Sequence, residues 1–191
     1  MSGGVDSSVT AGLLVEQGYR VIGMMLRLWS EAGKEDTNRC CTPDAMSQAR
    51  RVAAKLGIPF YALDVQKSFR EIVVESFLSG YTQGITPNPC LMCNRKIRWG
   101  VLYEEARSLG ADYMATGHYV RTRKQENGWV NLLRGMDAAK DQSYVLSVLS
   151  QEHLQHSLFP VGELSKPEVR ELARKWGFSV ADRPDSQDLC F

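Results

Sequence analysis

Met1-Ser2-Gly3-Gly4-Val5-Asp6-Ser7-Ser8 opens the chain and runs straight into Val9-Thr10-Ala11-Gly12-Leu13-Leu14-Val15. Two glycines, an acid and two hydroxyls ahead of an apolar run describe a tight loop that starts a helix. Gly3 and Gly4 carry no Cβ, so their backbone N–H groups can approach an anion closely. The helix N-terminus behind them is partly positive, and Ser7 and Ser8 add hydroxyl donors there. The stretch reads as a phosphate seat. Such a seat is ordinarily delivered by a buried strand, and the sequence begins at the loop itself, so the expectation is a fold lacking its first strand.

Working outward, Gly18 ends the first helix, and residues 19–29 read as a buried strand, apolar on both faces as a parallel sheet demands. Residues 30–41 are polar and read as a loop. Thr42-Pro43-Asp44 then supplies a hydroxyl cap, a proline at the first helical position and an acid in the first turn, and Gly57 closes that helix. Residues 58–65 form the next strand and 69–81 the next helix. A turn through Thr86-Pro87-Asn88-Pro89 leads to Cys90-Leu91-Met92-Cys93, and helix resumes over 95–109. Residues 111–119 read as a short strand, 129–134 as one arm of a hairpin tipped by Glu126-Asn127-Gly128, and 141–149 and 151–158 as helices. Ser165-Lys166-Pro167-Glu168 is a capping box for a helix to Trp176. Alternating strands and helices imply an α/β fold: a Rossmann-like, doubly wound parallel sheet with helices on both faces. Residues 1–150 would be the nucleotide-binding core and 151–191 a helical appendage.

The chain of 191 residues is 43% apolar, enough for one sizeable core, and its net charge of +1 gives no global pull toward nucleic acid. Any RNA contact must be a local patch. No apolar run is long enough to cross a bilayer and no signal peptide is visible, so a cytoplasmic location is the default expectation. Five cysteines, Cys40, Cys41, Cys90, Cys93 and Cys190, argue for reactive or metal-binding thiols over a secreted disulfide framework. Cys90-x-x-Cys93 has no second CxxC, so a closed zinc site would have to borrow Cys190 and a histidine. Asn94 and the cations Arg95, Lys96 and Arg98 after Cys93 suit a thiol of lowered pKa.

The loop is neither a Walker sequence nor GxGxxG. Ser-Gly-Gly-x-Asp-Ser resembles the PP-loop of enzymes that split ATP between its α and β phosphates. Six motifs then occur in order: residues 2–8, Thr86-Pro-Asn-Pro-Cys-x-x-Cys-Asn94, Ala115-Thr-Gly-His-Tyr-Val-Arg121, Lys140-Asp-Gln-Ser-Tyr144, Leu158-Phe-Pro-Val-Gly162 and Asp185-Ser-Gln-Asp-Leu-Cys-Phe191. Together they resemble the tRNA-specific 2-thiouridylase family, adenine nucleotide alpha-hydrolase-like in fold, over essentially the whole chain.

That resemblance implies ATP, with Mg, held by Met1, Ser2, Gly3, Gly4, Val5, Asp6, Ser7, Leu26 and Gly117. It implies Cys93 and Cys190 as the catalytic pair: Cys190 carries a persulfide from a sulfur donor protein, and Cys93 resolves it to a disulfide. Asn88, Pro89, Cys90, His118, Lys140, Asp141 and Gln142 would meet the tRNA, whose target base must leave its stack. Where many members have aspartate this chain has Cys90, and Cys90, Cys93 and Cys190 would suit a 4Fe-4S cluster as another sulfur route. Relatives continue into a central domain and a C-terminal β-barrel, so weak or absent tRNA thiolation is expected of these residues alone. On the residues two other functions stay open: an adenylating ligase or amidotransferase, which would not need the thiols, and an inactive nucleotide-binding fragment. Cys40 and Cys41 have no derivable role.

Overall fold

The computed structural model describes residues 1–30, 42–185 and 190. The loop expected at residues 30–41, Cys40, Cys41, residues 186–189 and Phe191 lie outside them, apart from Ser30.

Helix α1 (Val5–Glu16) starts directly behind the glycines, with Gly4 as its extended N-cap. Its buried Val5 and Val9 pack with Val169 and Ala173 of α8 (Lys166–Lys175) and with Phe178, Val180 and Ala181. The first helix and the last therefore share one core. In α8, the Glu168 carboxylate accepts from the Ser165 backbone N–H at 2.7 Å and its hydroxyl at 2.6 Å, as a capping box requires. Helix α2 (Pro43–Leu56) likewise starts where its cap predicts: the Thr42 hydroxyl accepts from the Ala45 N–H at 3.0 Å.

Strand β1 (Gly23–Arg27) pairs in parallel with β2 (Phe60–Asp64), from Gly23 opposite Phe60 to Arg27 opposite Asp64. Helix α3 (Gln66–Phe69) passes through a π-helical stretch (Arg70–Val74) into α4 (Glu75–Thr82). The second thick helix is built the same way: α5 (Pro89–Met92), a π-helical stretch (Cys93–Leu102), then α6 (Tyr103–Ser108). β3 (Met114–Ala115) runs beside β6 (Ser157–Leu158), again in parallel. β4 (Val120–Lys124) and β5 (Val130–Arg134) close an antiparallel hairpin through the expected turn at Gly128. The class is α/β with parallel pairing and helices on both sides. Among the described residues no helix is long and apolar enough to cross a membrane.

Three expectations are corrected. The Cys90–Cys93 segment is helical from its first residue, because Asn88 caps it and Pro89 sits at the position where a missing N–H costs nothing. Residues 141–149 form only a 3₁₀ turn (Ser143–Leu146) before α7 (Gln151–Gln155). The Asp141 carboxylate takes the N–H groups of Gly135 and Ser143 and the Ser143 hydroxyl, an alternative to helix. The parallel sheet, finally, is in two halves. β1 and β3 share no ladder, and a cavity of about 1140 Å³ lies between Gly23–Met25 on one rim and Met114–Thr116 on the other.

Candidate active site

Met1, Ser2, Asp6 and Ser7 of the glycine loop line that cavity, whereas Gly3, Gly4 and Val5 do not. Gly3 has φ of 73°, and a Cβ there would sit 2.3 Å from the Ala45 carbonyl oxygen, so the position admits no side chain. The Ser7 hydroxyl accepts from the Ser2 N–H at 3.0 Å and lies 3.1 Å from the Ser2 hydroxyl. Ser8 is fully buried and its hydroxyl donates to the Gly4 carbonyl at 2.8 Å. Of the two expected hydroxyl donors, therefore, Ser8 is turned inward to close the loop. Gly117, at the end of β3, backs directly on the helix start: a Cβ there would be 2.8 Å from Asp6 C and Ser7 N. Val5 points into the core. The Met1 amine donates to the Met24 carbonyl, and burial, then Arg98, lowers its pKa to about 5.

Asp6 is held from two sides. Lys166 Nζ lies 2.7 and 2.8 Å from its carboxylate oxygens, and the Tyr119 hydroxyl donates to it at 2.8 Å. Burial and the Asp6 carboxylate together push the Tyr119 pKa far up, which keeps the phenol a donor. The same Lys166 Nζ is 2.7 Å from Asp185 Oδ1. Asp185 also receives Lys140 at 2.7 Å and Arg170 at 3.0 Å. Burial would raise the Asp185 pKa, but hydrogen bonds from Lys140 and Lys166 bring it below the usual carboxylate range.

The thiols lie on the same cavity from another direction. Cys93 is buried among Leu28, Phe69, Val73 and Ile97, and Cys190 packs against that cluster. Both line the cavity together with Met1, Ser2, Asp6 and Ser7. Leu26, Gly117, His118 and Gln142 line it too. Cys90, Cys93 and Cys190 are reduced, and Cys90 is exposed at the helix start. The expectation of an acidic Cys93 is corrected: burial raises its pKa, and the guanidinium of Arg98, five residues on in the π-helical stretch, opposes this only in part. Cys90 is raised as well, first by burial and then by Cys190.

The remaining expected contacts are engaged within the protein. Asn88 accepts from the Cys90 N–H at 2.9 Å. Gln142 exchanges bonds with Tyr119, its Oε1 accepting from the Tyr119 N–H and its own N–H donating to the Tyr119 carbonyl, each at 3.1 Å. The His118 ring bonds to the Thr116 hydroxyl at 2.8 Å, and burial, then Arg98, lowers its pKa to about 3, so it is neutral. Pro89, Cys90, Lys140 and Asp141 lie off the cavity lining. Sequence reasoning missed the roles of Lys166 and Tyr119, whereas it set Arg98 beside the Cys93 thiol. Lys166 was legible only as part of a capping box, although a lysine buried to 8% exposure needs a charged partner.

Among the described residues no three His, Cys, Asp or Glu side chains are placed to hold a metal ion. Cys90, Cys93 and Cys190 are nevertheless near enough to one another that each of Cys90 and Cys93 is raised in pKa, beyond the effect of burial, by Cys190. Mg²⁺ keeps most of its shell for phosphates and water, and Asp6, whose carboxylate is taken by Lys166 and Tyr119, is not open to it in this arrangement.

A family profile described as "tRNA methyl transferase HUP domain" matches residues 1–191. The tRNA-specific 2-thiouridylase MnmA of Thermus thermophilus is 54% identical over 199 residues, covering 100% of this chain and 53% of the relative. Its namesake in Deinococcus radiodurans is 50% identical over 192 residues, covering 100% and 50%. The chain thus spans about half the length of these curated relatives. In fold it is similar to the U34-tRNA thiolase NcsA from Methanococcus maripaludis with its [4Fe-4S] cluster, at a TM-score of 0.58 and 19% identity, over 99% of this chain and 58% of that one. The NMN synthetase from Francisella tularensis gives 0.55 and 21%, over 97% and 63%.

Proposed function

Because the chain belongs to the tRNA methyl transferase HUP domain family, we propose that residues 1–191 are the catalytic domain of an ATP-dependent tRNA uridine 2-sulfurtransferase. One observation carries the reading: Ser2, Asp6 and Ser7 of the loop and the thiols Cys93 and Cys190 line a single cavity. The names of the 2-thiouridylase relatives support the acceptor and the transferred atom.

ATP would lie with its phosphates on residues 2–7, beside Leu26 and Gly117, with Mg²⁺ neutralising the phosphates. The wobble uridine O2 attacks the α phosphorus and pyrophosphate leaves. A persulfide carrier protein passes sulfur to Cys190 and departs as a thiol. The terminal sulfur of Cys190 attacks C2 of the adenylated base and AMP leaves. Cys93 then attacks the Cys190 sulfur, which forms the Cys93–Cys190 disulfide and frees 2-thiouridine. A cellular dithiol returns the two electrons. At rest burial holds the Cys93 pKa up, which keeps the thiol protonated and restrains it from attacking the Cys190 persulfide before that sulfur has reached C2. Asn88, Pro89, Cys90, His118, Lys140, Asp141 and Gln142 form the tRNA side of the site.

The test is single-turnover thiolation of a wobble-uridine tRNA by the chain in excess, with ATP, Mg²⁺ and a persulfide donor. The expected result is slow, low-yield 2-thiouridine formation, with one pyrophosphate released for each base modified. Cys93→Ser and Cys190→Ser each abolish sulfur transfer while pyrophosphate release continues. Full sulfur transfer by either variant would refute the persulfide route; turnover of a carboxylate in place of tRNA would assign the chain to the adenylating ligases.

A further inference from the structure

A Cys93–Cys190 disulfide would close each reaction cycle where a reductant has little access. Cys93 is 8% exposed, and Cys190 packs against the same cluster of Leu28, Phe69, Val73 and Ile97. Cys90 stands at the edge of that cluster: it is exposed, and it precedes Cys93 by three residues on one continuous helical stretch that starts at Pro89. The Cys93 N–H reaches back to the carbonyls of Pro89 and Cys90, so the turn between the two thiols is closed and both project from the same side of it. Positions three apart on such a turn hold their Cβ atoms about 5–6 Å apart, a small adjustment away from the ~4 Å of a disulfide. In the first turn of a helix the N–H groups have no rung to lose. The Cys90 N–H is held by the Asn88 side chain instead, at 2.9 Å, which leaves room for that adjustment. Cys190 acts electrostatically on both Cys90 and Cys93, so the three sulfurs share one neighbourhood.

We propose that Cys90 is a third catalytic thiol, which takes the disulfide from the buried Cys93–Cys190 pair and carries it to the surface. Cys90 gives up its proton and attacks Cys93 Sγ. The Cys90–Cys93 bond forms, the Cys93–Cys190 bond breaks, and Cys190 leaves as a thiolate that takes up the proton. No electrons enter or leave in this exchange. A cellular dithiol then reduces the Cys90–Cys93 bond at its exposed end, supplying two electrons and two protons and departing as its own disulfide. Cys190 is thus a thiol again, ready for the next persulfide, before any reductant arrives, and no reductant needs a path into the cavity.

The proposal rests on the persulfide reading, but its test needs neither ATP nor tRNA. The whole chain is equilibrated in a glutathione redox buffer, quenched in acid, alkylated and mapped by peptide mass spectrometry. The oxidised chain is then reduced with thioredoxin, thioredoxin reductase and NADPH. The unaltered chain is expected to hold its main intramolecular disulfide at Cys90–Cys93, with Cys190 alkylated. Cys90→Ser is expected to hold it at Cys93–Cys190 and to be reduced more slowly than the unaltered chain by a factor of about ten or more. A main disulfide other than Cys90–Cys93 in the unaltered chain overturns the proposal, as does slowing of Cys90→Ser by a smaller factor. Failure of Cys90→Ser to form any Cys93–Cys190 disulfide overturns the persulfide reading and this step with it, so the two failures are told apart. Should Cys90→Ser not fold, Cys90→Ala is measured in its place.

Discussion

The two sides of the cavity are made by different physics. On the nucleotide side the shape is backbone: Gly3 turns at a left-handed φ, Gly117 abuts the Asp6 and Ser7 backbone, and the serine hydroxyls are consumed in closing the loop. On the thiol side the shape is apolar burial: Cys93 is held by Phe69, Val73 and Ile97, and its chemistry is set by exclusion of water. The first side is intolerant of an added atom, the second of a removed one. An anion site needs donors fixed before the ligand arrives, whereas a resolving thiol benefits from being kept protonated until its partner is charged.

Phe69→Ala gives the largest expected break, because Phe69 is 1% exposed at the centre of the thiol cluster. Chemical denaturation should register a loss of about 3–5 kcal/mol, and alkylation of Cys93 should accelerate while nucleotide affinity changes little. Gly3→Ala strikes the other side. With the Ala45 carbonyl 2.3 Å from the new methyl, a loss of about 3 kcal/mol is expected, and calorimetry should find ATP affinity down by about tenfold or more, with Cys93 alkylation unchanged. Equal loosening of both sites by either variant would erase the contrast.

The pH dependence sharpens it. His118 holds its proton less tightly folded than unfolded, with a folded pKa of about 3. The unfolded chain binds more protons between that value and the ordinary 6.5, so stability rises with pH from about 3 to about 6.5. Asp185, lowered on folding, has the same sign and adds stability that is lost as pH falls below about 4. His118→Gln should flatten the slope between about pH 3 and 6.5, read by melting temperature, with an effect of a few kcal/mol at about pH 4. Thiol reactivity on the other side should follow its own titration and ignore the substitution. The smallest expected change is Arg174→Gln at the exposed pair with Asp182, below about 0.5 kcal/mol in a denaturant titration.

Local chemistry was legible in the sequence. Thr42-Pro43 and Ser165-x-x-Glu168 start helices where read, Gly128 turns the hairpin, and the Ser-Gly-Gly loop opens α1, because each signal acts within four residues. What escaped depends on distant partners. Whether residues 141–149 coil as an α-helix was decided by the Gly135 N–H reaching the Asp141 carboxylate. Cations after Cys93 suggested an acidic thiol, and the burial supplied by Phe69 and Val73 outweighed them. Lys166 acquires its meaning only from Asp6, 160 positions away.

The π-helical stretch Cys93–Leu102 sets a rule for changes in length. Each residue of an α-helix turns the chain by about 100°, and a wider coil absorbs a surplus residue without breaking the rod. Deleting one residue there would therefore relax the coil toward an α-helix and leave Pro89–Met92 and Tyr103–Ser108 in register. The same deletion within Tyr103–Ser108, where no surplus exists, would turn everything before it by about 100°, and the sulfur would face away from the chamber although no atom of the chamber had been altered.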